Sequence, residues 1–203
     1  MANNTLPTLK KTGKAVADIK GIFLLKHTNG EPTITDMLKS QDWFAPLTLR
    51  GSVNASQDAP SLTEIHVDQF DPPIGMTSEP GSFSFEAKLP SMLEEDIKAF
   101  LGEYNASSNP SGVQAVQDTG ANVTVDGRKL FGFNLDGTIY DMSVMIQTRS
   151  GQIIVFPHAQ LTLTFGQDDK TFVFTLSGQI VAPENKNNQM IYIAHDKSAE
   201  QIK

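Results

Sequence analysis

The feature that most constrains this chain is a set of short segments in which apolar and polar residues alternate. In the clearest of them, 82–89, Phe83, Phe85, Ala87 and Leu89 fall on one side and polar residues on the other. Successive side chains of a β-strand point to opposite faces of its sheet. The segment is therefore predicted to be a strand with one buried face, and the chain to be built from sheets.

Similar patterns predict strands along the rest of the sequence. The dense apolar run at 22–25 favours a buried strand over 18–27. In 62–68, Leu62, Ile65 and Val67 indicate one apolar face. Further strands are predicted at 47–56, 113–116, 122–125, 129–135, 138–148, 152–156, 159–165, 171–181 and 190–195.

Turn-forming residues divide these strands. The pairs Asp126-Gly127, Asp136-Gly137 and Ser150-Gly151 are typical of hairpins, because glycine adopts the positive φ that tight turns require. A longer turn is predicted at 166–170. The segment 68–81 has three prolines and two glycines, so we predict irregular structure there.

One helix is predicted at about 91–101. Ser91 and Glu94 have the spacing of a capping box, and acidic residues fill the first turn, where the helix dipole favours them. The apolar stripe of this helix consists of Leu93, Ile97, Phe100 and Leu101, and Gly102 ends it. A shorter helical turn is predicted within 35–44, capped by Thr35. The predicted fold class is mostly β, an antiparallel β-barrel or β-sandwich with one packed α-helix.

The 203 residues suit one large domain with extensions. We predict an extended N-terminal arm at 1–14 and a single β-rich domain at 15–182, with mobile loops at 28–46 and 103–120. A C-terminal extension with a short strand is predicted at 183–203.

Composition excludes several classes of protein. The chain has no cysteine, which rules out disulfides, thiolate metal sites and thiol nucleophiles. Its net charge of −7 disfavours a nucleic-acid-binding surface, which needs clustered cations. The only basic concentration, Lys10, Lys11, Lys14 and Lys20, is interpreted as a solvated arm. No apolar run approaches the roughly 20 residues that span a bilayer, and no secretory signal is present. We therefore expect synthesis in the cytoplasm and no contact with a membrane.

No catalytic, cofactor-binding or metal-binding residue is predicted. The histidines, His27, His66, His158 and His195, lack metal-ligand spacing, and nucleophile and phosphate-loop motifs are absent. We therefore expect a protein that is not an enzyme, without cofactor, metal or small-molecule substrate.

Two alternatives remain open at this stage. One is a β-sandwich module of a phage or bacterial surface assembly that binds carbohydrate or protein through Trp43, Tyr104 or the Phe70 loop. For Trp43, a packing role beside Phe44 and Pro46 is the simpler interpretation. The other alternative is a hydrolase with a site around His66, Asp68 and Asp71, residues whose simpler role is turn formation.

Two stretches in the middle of the chain carry a family resemblance. They are LRGSVNASQDAPSLTEIHVDQFDPPIGM at 49–76 and GSFSFEAKLPSMLEEDIKAFLG at 81–102. Their order is a strand, a paired strand ending in an acidic turn, an excursion, a further strand and one helix. In this order the chain resembles the tail tube proteins of long-tailed bacteriophages and, more distantly, the tube protein of type VI secretion. The likeness covers 15–182 and is most specific over 47–102.

The resemblance implies a structural virion protein, made in the host bacterial cytoplasm and located in the phage tail. Copies of such a protein form rings, usually six-fold, whose inner strands join edge to edge and which stack into a DNA conduit. The arm at 1–14 and the loops at 28–46 and 103–120 would make the stacking contacts. The expected partners are copies of itself and other phage tail proteins, and DNA is expected to pass without specific binding.

Overall fold

The computed structural model of the protein describes residues 19–27, 30–67, 70–90, 94–109 and 112–194. The elements of the first half are β1 (Ile19–Lys26), α1 (Ile34–Lys39), β2 (Asn54–Gln57), β3 (Ser61–Val67), β4 (Phe70–Glu79), β5 (Phe83–Leu89) and α2 (Glu94–Leu101). Six two-residue strands follow: β6 (Gln114–Ala115), β7 (Gln117–Asp118), β8 (Ala121–Asn122), β9 (Thr124–Val125), β10 (Arg128–Lys129) and β11 (Phe131–Gly132). The last elements are β12 (Tyr140–Thr148), β13 (Ile153–Asp168), β14 (Thr171–Ile180) and β15 (Tyr192–Ala194).

A seven-stranded antiparallel sheet forms the body of the protein. Its strand order is β1-β12-β13-β14-β5-β2, with β15 paired to β13. The described part of the chain is mostly β and has no closed barrel, so the predicted fold class is confirmed in its sandwich-like form. The predicted strands at 18–27, 82–89 and 171–181 are present as β1, β5 and β14.

Strand β13 joins two segments that the sequence divides at Pro157 and His158. It runs for 16 residues, pairing with β12 on one side and with both β15 and β14 on the other. A register shift in the β12 pairing, between Met142 and Val144, lies opposite the proline. Proline has no N–H for a ladder, and the irregular pairing at this point accommodates it.

The core is one cluster to which the strands of the sheet and α2 contribute. Phe85, Ala87 and Leu89 of β5 are buried, as their alternation predicts. Ile97, Phe100 and Leu101 of α2 pack into the same cluster, while Ser91 and Leu93 lie outside the described residues. Gly102 has φ +82°, so the predicted helix stop is confirmed. Each fully buried large apolar side chain contributes about 1.5–3 kcal/mol.

The shorter helix, α1, begins at Ile34, and its cap lies two residues before the predicted one. Thr33, not Thr35, is the N-cap, and its hydroxyl accepts a hydrogen bond from the Asp36 amide at 3.2 Å. The side chain of Asn188, far along the chain, accepts a second bond from the Ile34 amide at 2.9 Å. A partner about 150 residues away leaves no local sequence signal, which explains the misplaced cap.

Two other local predictions were wrong. The predicted strand at 47–56 is reduced to β2, because the chain turns at Gly51, which has φ +76°. The Asp136-Gly137 pair makes no hairpin, since 133–139 is outside any strand. Instead the Asp136 carboxylate accepts bonds from the amide and the hydroxyl of Thr138, which closes a local turn.

The short strands β6 to β11 form a three-legged element. Val116, Val123 and Leu130, spaced seven residues apart, bond in a ring: the amide of Val116 donates to Leu130, that of Val123 to Val116, and that of Leu130 to Val123, at 2.8–3.0 Å. Two legs are the hairpins β7–β8 and β9–β10, and the third is the β6–β11 pair. The Asp126-Gly127 turn closes the second hairpin, as predicted.

Candidate interaction surface

A long two-stranded ribbon leaves the body of the protein where β2 and β5 end. The β2–β5 pairing runs from Asn54 opposite Glu86 to Gln57 opposite Phe83. Beyond it, the Asp58 amide donates to the Ser82 carbonyl at 2.9 Å, and β3 pairs with β4 from Ser61 opposite Glu79 onward in unchanged register. We call residues 58–82 the β-ribbon. About ten residue pairs at 3.3 Å per residue give it a length of roughly 30 Å.

The ribbon corrects the prediction of irregular structure at 68–81. Residues 70–79 form β4, although Pro72 and Pro73 lie within it. The β3–β4 register shifts between Ile65 and Val67, at the level of these prolines. A residue in a bulge needs no ladder N–H, so the two prolines fit there. The rule that proline excludes strands holds for central strands and fails in a two-stranded ribbon.

The ribbon exposes its apolar side chains. Leu62, Ile74 and Met76 are 64%, 60% and 58% exposed. Leu62 and Glu64 lie on the same face of β3, and Glu64 pairs with Met76 across the ladder, so this face mixes apolar and acidic groups. Ile65 lies on the opposite face and is also exposed, which overturns the predicted single apolar face of 62–68. The ribbon therefore carries apolar surface on both faces that the described residues leave uncovered.

A buried polar cluster is the strongest candidate for chemistry. His158 lies between two carboxylates, with Nε2 at 3.0 Å from Asp141 Oδ1 and Nδ1 at 3.5 Å from Glu31 Oε2. His27 is next to it, with ring centroids 5.6 Å apart, and its Nε2 is 2.8 Å from the buried Ser143 hydroxyl. We call His27, Glu31, Asp141 and His158 the His–Glu cluster. The sequence analysis treated the histidines singly and missed it.

The electrostatics of the cluster follow from burial and from the His158 contact. Burial, with the nearby charge of His158, lowers the pKa of His27. The hydrogen bond from His158 lowers the pKa of Asp141. Both shifts favour a neutral His27 beside an ionised Asp141.

The hydrogen bonds of Glu31 show what the cluster holds. Its carboxylate accepts the backbone amide of Glu184 at 2.6 Å, the more distant amide of Asn185, and the Asn188 side-chain amide. The Ser143 hydroxyl is likewise committed, donating to the Pro157 carbonyl at 2.8 Å. The cluster thus fastens the chain after β14 to the loop after β1, and neither Glu31 nor Ser143 is left open to a substrate.

The two described residues of the predicted aromatic platform, Trp43 and Tyr104, differ in exposure. Trp43 is half-buried, and its indole N–H donates to the Met37 carbonyl at 2.7 Å, which is the contact of a packing anchor. Tyr104 is exposed. The side chain of Phe70 lies outside what the structure describes.

Of the three residues of the hydrolase alternative, the structure describes the side chain of His66 alone. His66 is exposed on the ribbon, and its Nε2 is 3.1 Å from Glu64 Oε2. Asp68 and the Asp71 side chain lie outside the described residues. The prediction that the chain is not an enzyme stays a prediction.

A different aromatic surface lies at the far end of β13 and β14. Phe165 and Phe172 stack with their ring centroids 5.6 Å apart, and both are more than half exposed. Phe133, Leu135, Phe165 and Phe174 line an open cavity of about 410 Å³ beside them. The isolated positions of these phenylalanines in the sequence gave no signal for this clustering.

Within the described ranges, no group of three His, Asp or Glu side chains is placed to hold a metal ion. No helix in that part of the chain has the length and apolar character to cross a membrane. Neither the family models nor the curated proteins that were compared with the sequence give a match. The class that fold and surface define is thus an antiparallel, sandwich-like β-protein with a projecting ribbon.

Proposed function

We propose that this chain is a structural subunit that assembles with copies of itself into stacked rings, forming a tail tube-like conduit for DNA in a phage virion. The observation that carries the proposal is the β-ribbon, which extends roughly 30 Å and whose described side chains leave neither face buried. An isolated two-stranded ribbon is marginally stable in water, and exposed apolar residues mark contact surfaces. A second copy would supply the cover that the described part of the chain lacks.

The ends of the sheet support assembly as well. β1 and β2 are its edge strands, and edge strands readily pair with other chains. One contact covers part of β1, where Leu24 and Phe44 exchange backbone bonds at 2.9 and 3.0 Å. Toward Ile19, the outer edge of β1 has no strand partner among the described residues. Pairing between neighbouring copies around a ring would cover these edges.

The charge of the chain and the order of its elements agree with a conduit. A net charge of −7, repeated in every copy, repels DNA and lets it pass without binding. The resemblance over 47–102 covers the segment that forms β2, the ribbon, β5 and α2. The proposal includes the location in the virion tail, synthesis in the host bacterial cytoplasm, and other tail proteins as further partners.

Electron microscopy of concentrated protein tests this function. We expect rings or tubes whose amount rises with concentration and which seeding accelerates. The control replaces residues 60–80 by Asn-Gly, which closes the ladder after Asp58 and Ser82 with a hairpin turn. This variant should keep the circular dichroism of the body and form no tubes. Wild-type protein that stays monomeric at high concentration, even when seeded, would contradict the proposal.

The second candidate is a sandwich-type binding module, favoured by the exposed Phe165–Phe172 stack and its apolar cavity. Such a surface suits the apolar face of a sugar or a peptide side chain. Calorimetric titration with a panel of oligosaccharides tests it, with Phe172→Ser as the control. Saturable binding that this substitution abolishes would favour the module, and absence of binding across the panel would remove it.

A further inference from the structure

A basic cleft of about 330 Å³ lies beside the start of β2. Ile19 and Lys20 of β1 line one side, Val53 and residues 48–51 another, and Arg149 closes it from the β12–β13 turn. Three of its eight lining residues, Lys20, Arg50 and Arg149, are cationic and none is acidic. In a chain with 23 acidic and 16 basic residues, this is a local reversal of charge.

The cleft and the β-ribbon lie at opposite ends of the β2–β5 pair. On the cleft side, the Leu49 amide donates to the Lys88 carbonyl at 2.8 Å. On the ribbon side, the Asp58 amide donates to the Ser82 carbonyl. β5 spans about 20 Å between these contacts. The ribbon therefore leads away from the cleft of its own chain.

The ribbon has the negative charge that complements the cations of the cleft, and both surfaces carry apolar side chains. Residues 61–79 include four acidic residues and no lysine or arginine. One face of the ribbon combines Leu62, Glu64 and Met76, all exposed. The cleft offers cations together with the apolar side chains of Ile19, Leu49 and Val53. Complementary charge of this kind fixes register and partner choice between chains.

We propose that the β-ribbon of one copy docks into the basic cleft of the next copy. The proposal rests on the proposed function and names its stacking contact. Because the two surfaces differ and lie at opposite ends, the contact is heterologous, and repetition gives an open stack rather than a closed dimer. Arg50 and Arg149 also engage other parts of their own chain, so docking shares these groups between partners.

Charge reversal tests the contact. The ribbon variant carries Glu64→Lys and Glu79→Lys, and the cleft variant carries Lys20→Glu and Arg50→Glu. Each alone places like charges together and should raise the concentration needed for assembly about tenfold or more. The variant with all four substitutions should recover to within about threefold, since the attraction is restored with its sign inverted. The control, Glu95→Lys with Glu184→Lys, changes the same number of exposed acidic residues as the ribbon variant, outside the ribbon, the cleft and the loops at 28–46 and 103–120.

Disulfide trapping locates the contact directly, because the chain has no cysteine of its own. Protein with Met76→Cys is mixed with protein with Thr48→Cys and oxidised at assembling concentration. A covalent dimer is expected from this mixture and not from Met76→Cys with Leu135→Cys, which probes the aromatic cavity. No 76–48 dimer, or a stronger 76–135 dimer, would overturn the proposal.

The outcomes separate this inference from the function on which it rests. Tubes that form normally in both charge-reversal variants, together with no covalent dimer from the Met76→Cys and Thr48→Cys mixture, refute the docking and leave the tube function standing. Wild-type protein that does not assemble, together with no covalent dimer from the same cysteine mixture, refutes both. Retardation of DNA by wild-type protein, abolished by the cleft variant with assembly unchanged, would identify the cleft as a nucleic-acid site and contradict the docking.

Discussion

The body sheet and the β-ribbon are one continuous ladder, yet they treat apolar side chains in opposite ways. In β5, Phe85 and Leu89 are almost completely buried, whereas in the ribbon Leu62 and Met76 are more than half exposed. Both regions are antiparallel strands joined in the same register. Alternation therefore specifies a strand, while burial requires further elements to pack against it. The body has such packing from α2 and from the other strands of the core cluster, and within the described chain the ribbon has none.

The largest difference between the body and the ribbon is expected in the free energy of unfolding after a truncation in each. Phe85→Ala should destabilise the protein by about 3–5 kcal/mol, because it leaves a cavity in the core. Leu62→Ala on the ribbon should change the unfolding free energy by no more than about 0.5 kcal/mol, because it removes no packing within the chain. Urea unfolding of both variants, at a concentration where the protein is monomeric, measures the difference. Similar losses at the two positions would mean that the ribbon is packed against the body.

The next effect concerns the His–Glu cluster, which binds the C-terminal part of the body. Glu31→Gln exchanges one acceptor oxygen for a donor that faces backbone amides, and it should cost about 1–3 kcal/mol. Hydrogen exchange of β15 should accelerate, since the segment that precedes it loses its anchor. Glu184→Gln, an exposed change in the same segment, is the control. Unchanged exchange in Glu31→Gln would show that the cluster does not hold this segment.

The sequence predicts the body well, because there local pattern and tertiary burial agree. In β5 and α2, the residues with a strand or helix period are the residues that reach the core. Glycines at helix and hairpin ends, such as Gly102 and Gly127, adopt the positive φ expected of them. These signals depend on neighbours along the chain, and one sequence contains them.

The candidate surfaces could not be predicted, because they depend on contacts between distant residues. Only after the sheet has folded does Glu31 accept hydrogen bonds from the segment 184–188, and only then do Lys20 and Arg149 line the same cleft. The ribbon was missed for a different reason. In a central strand, prolines would indicate a break, and the sequence was interpreted in that way. The structure shows instead that they lie at a bulge in a ribbon whose outer edges pair with no other described strand.

A smaller effect is expected in the three-legged element, whose β9–β10 hairpin is exposed like the ribbon. Gly127 has φ +75°, and an added Cβ would meet nothing within 4 Å. Gly127→Ala should therefore cost about 1–2 kcal/mol through backbone strain alone. Faster hydrogen exchange confined to the β9–β10 hairpin is the expected result. The matched control is Gly132→Ala, equally open and without positive φ. Equal effects of the two changes would remove the strain argument.

The smallest effect is the response of the body to acid through His27, which lies partly buried in the His–Glu cluster. The pKa of His27 in the folded chain lies below its ordinary value of 6.5 because of burial and the charge of His158. Below pH 6.5 the unfolded chain therefore binds a proton at His27 more readily than the folded chain does. The contribution of His27 to the free energy of unfolding is complete above pH 6.5 and is lost as the pH falls through the folded-state pKa. The carboxyl of Asp141 acts in the same direction, but in a window below its ordinary pKa of 3.8.

Unfolding measured between pH 7 and 5 therefore isolates His27 from Asp141. His27→Gln keeps a side chain that can bond the Ser143 hydroxyl and removes the titration, so it should flatten the loss of stability over this range. An equal pH dependence in His27→Gln and in the wild-type protein would show that burial in the body does not disfavour protonation of His27.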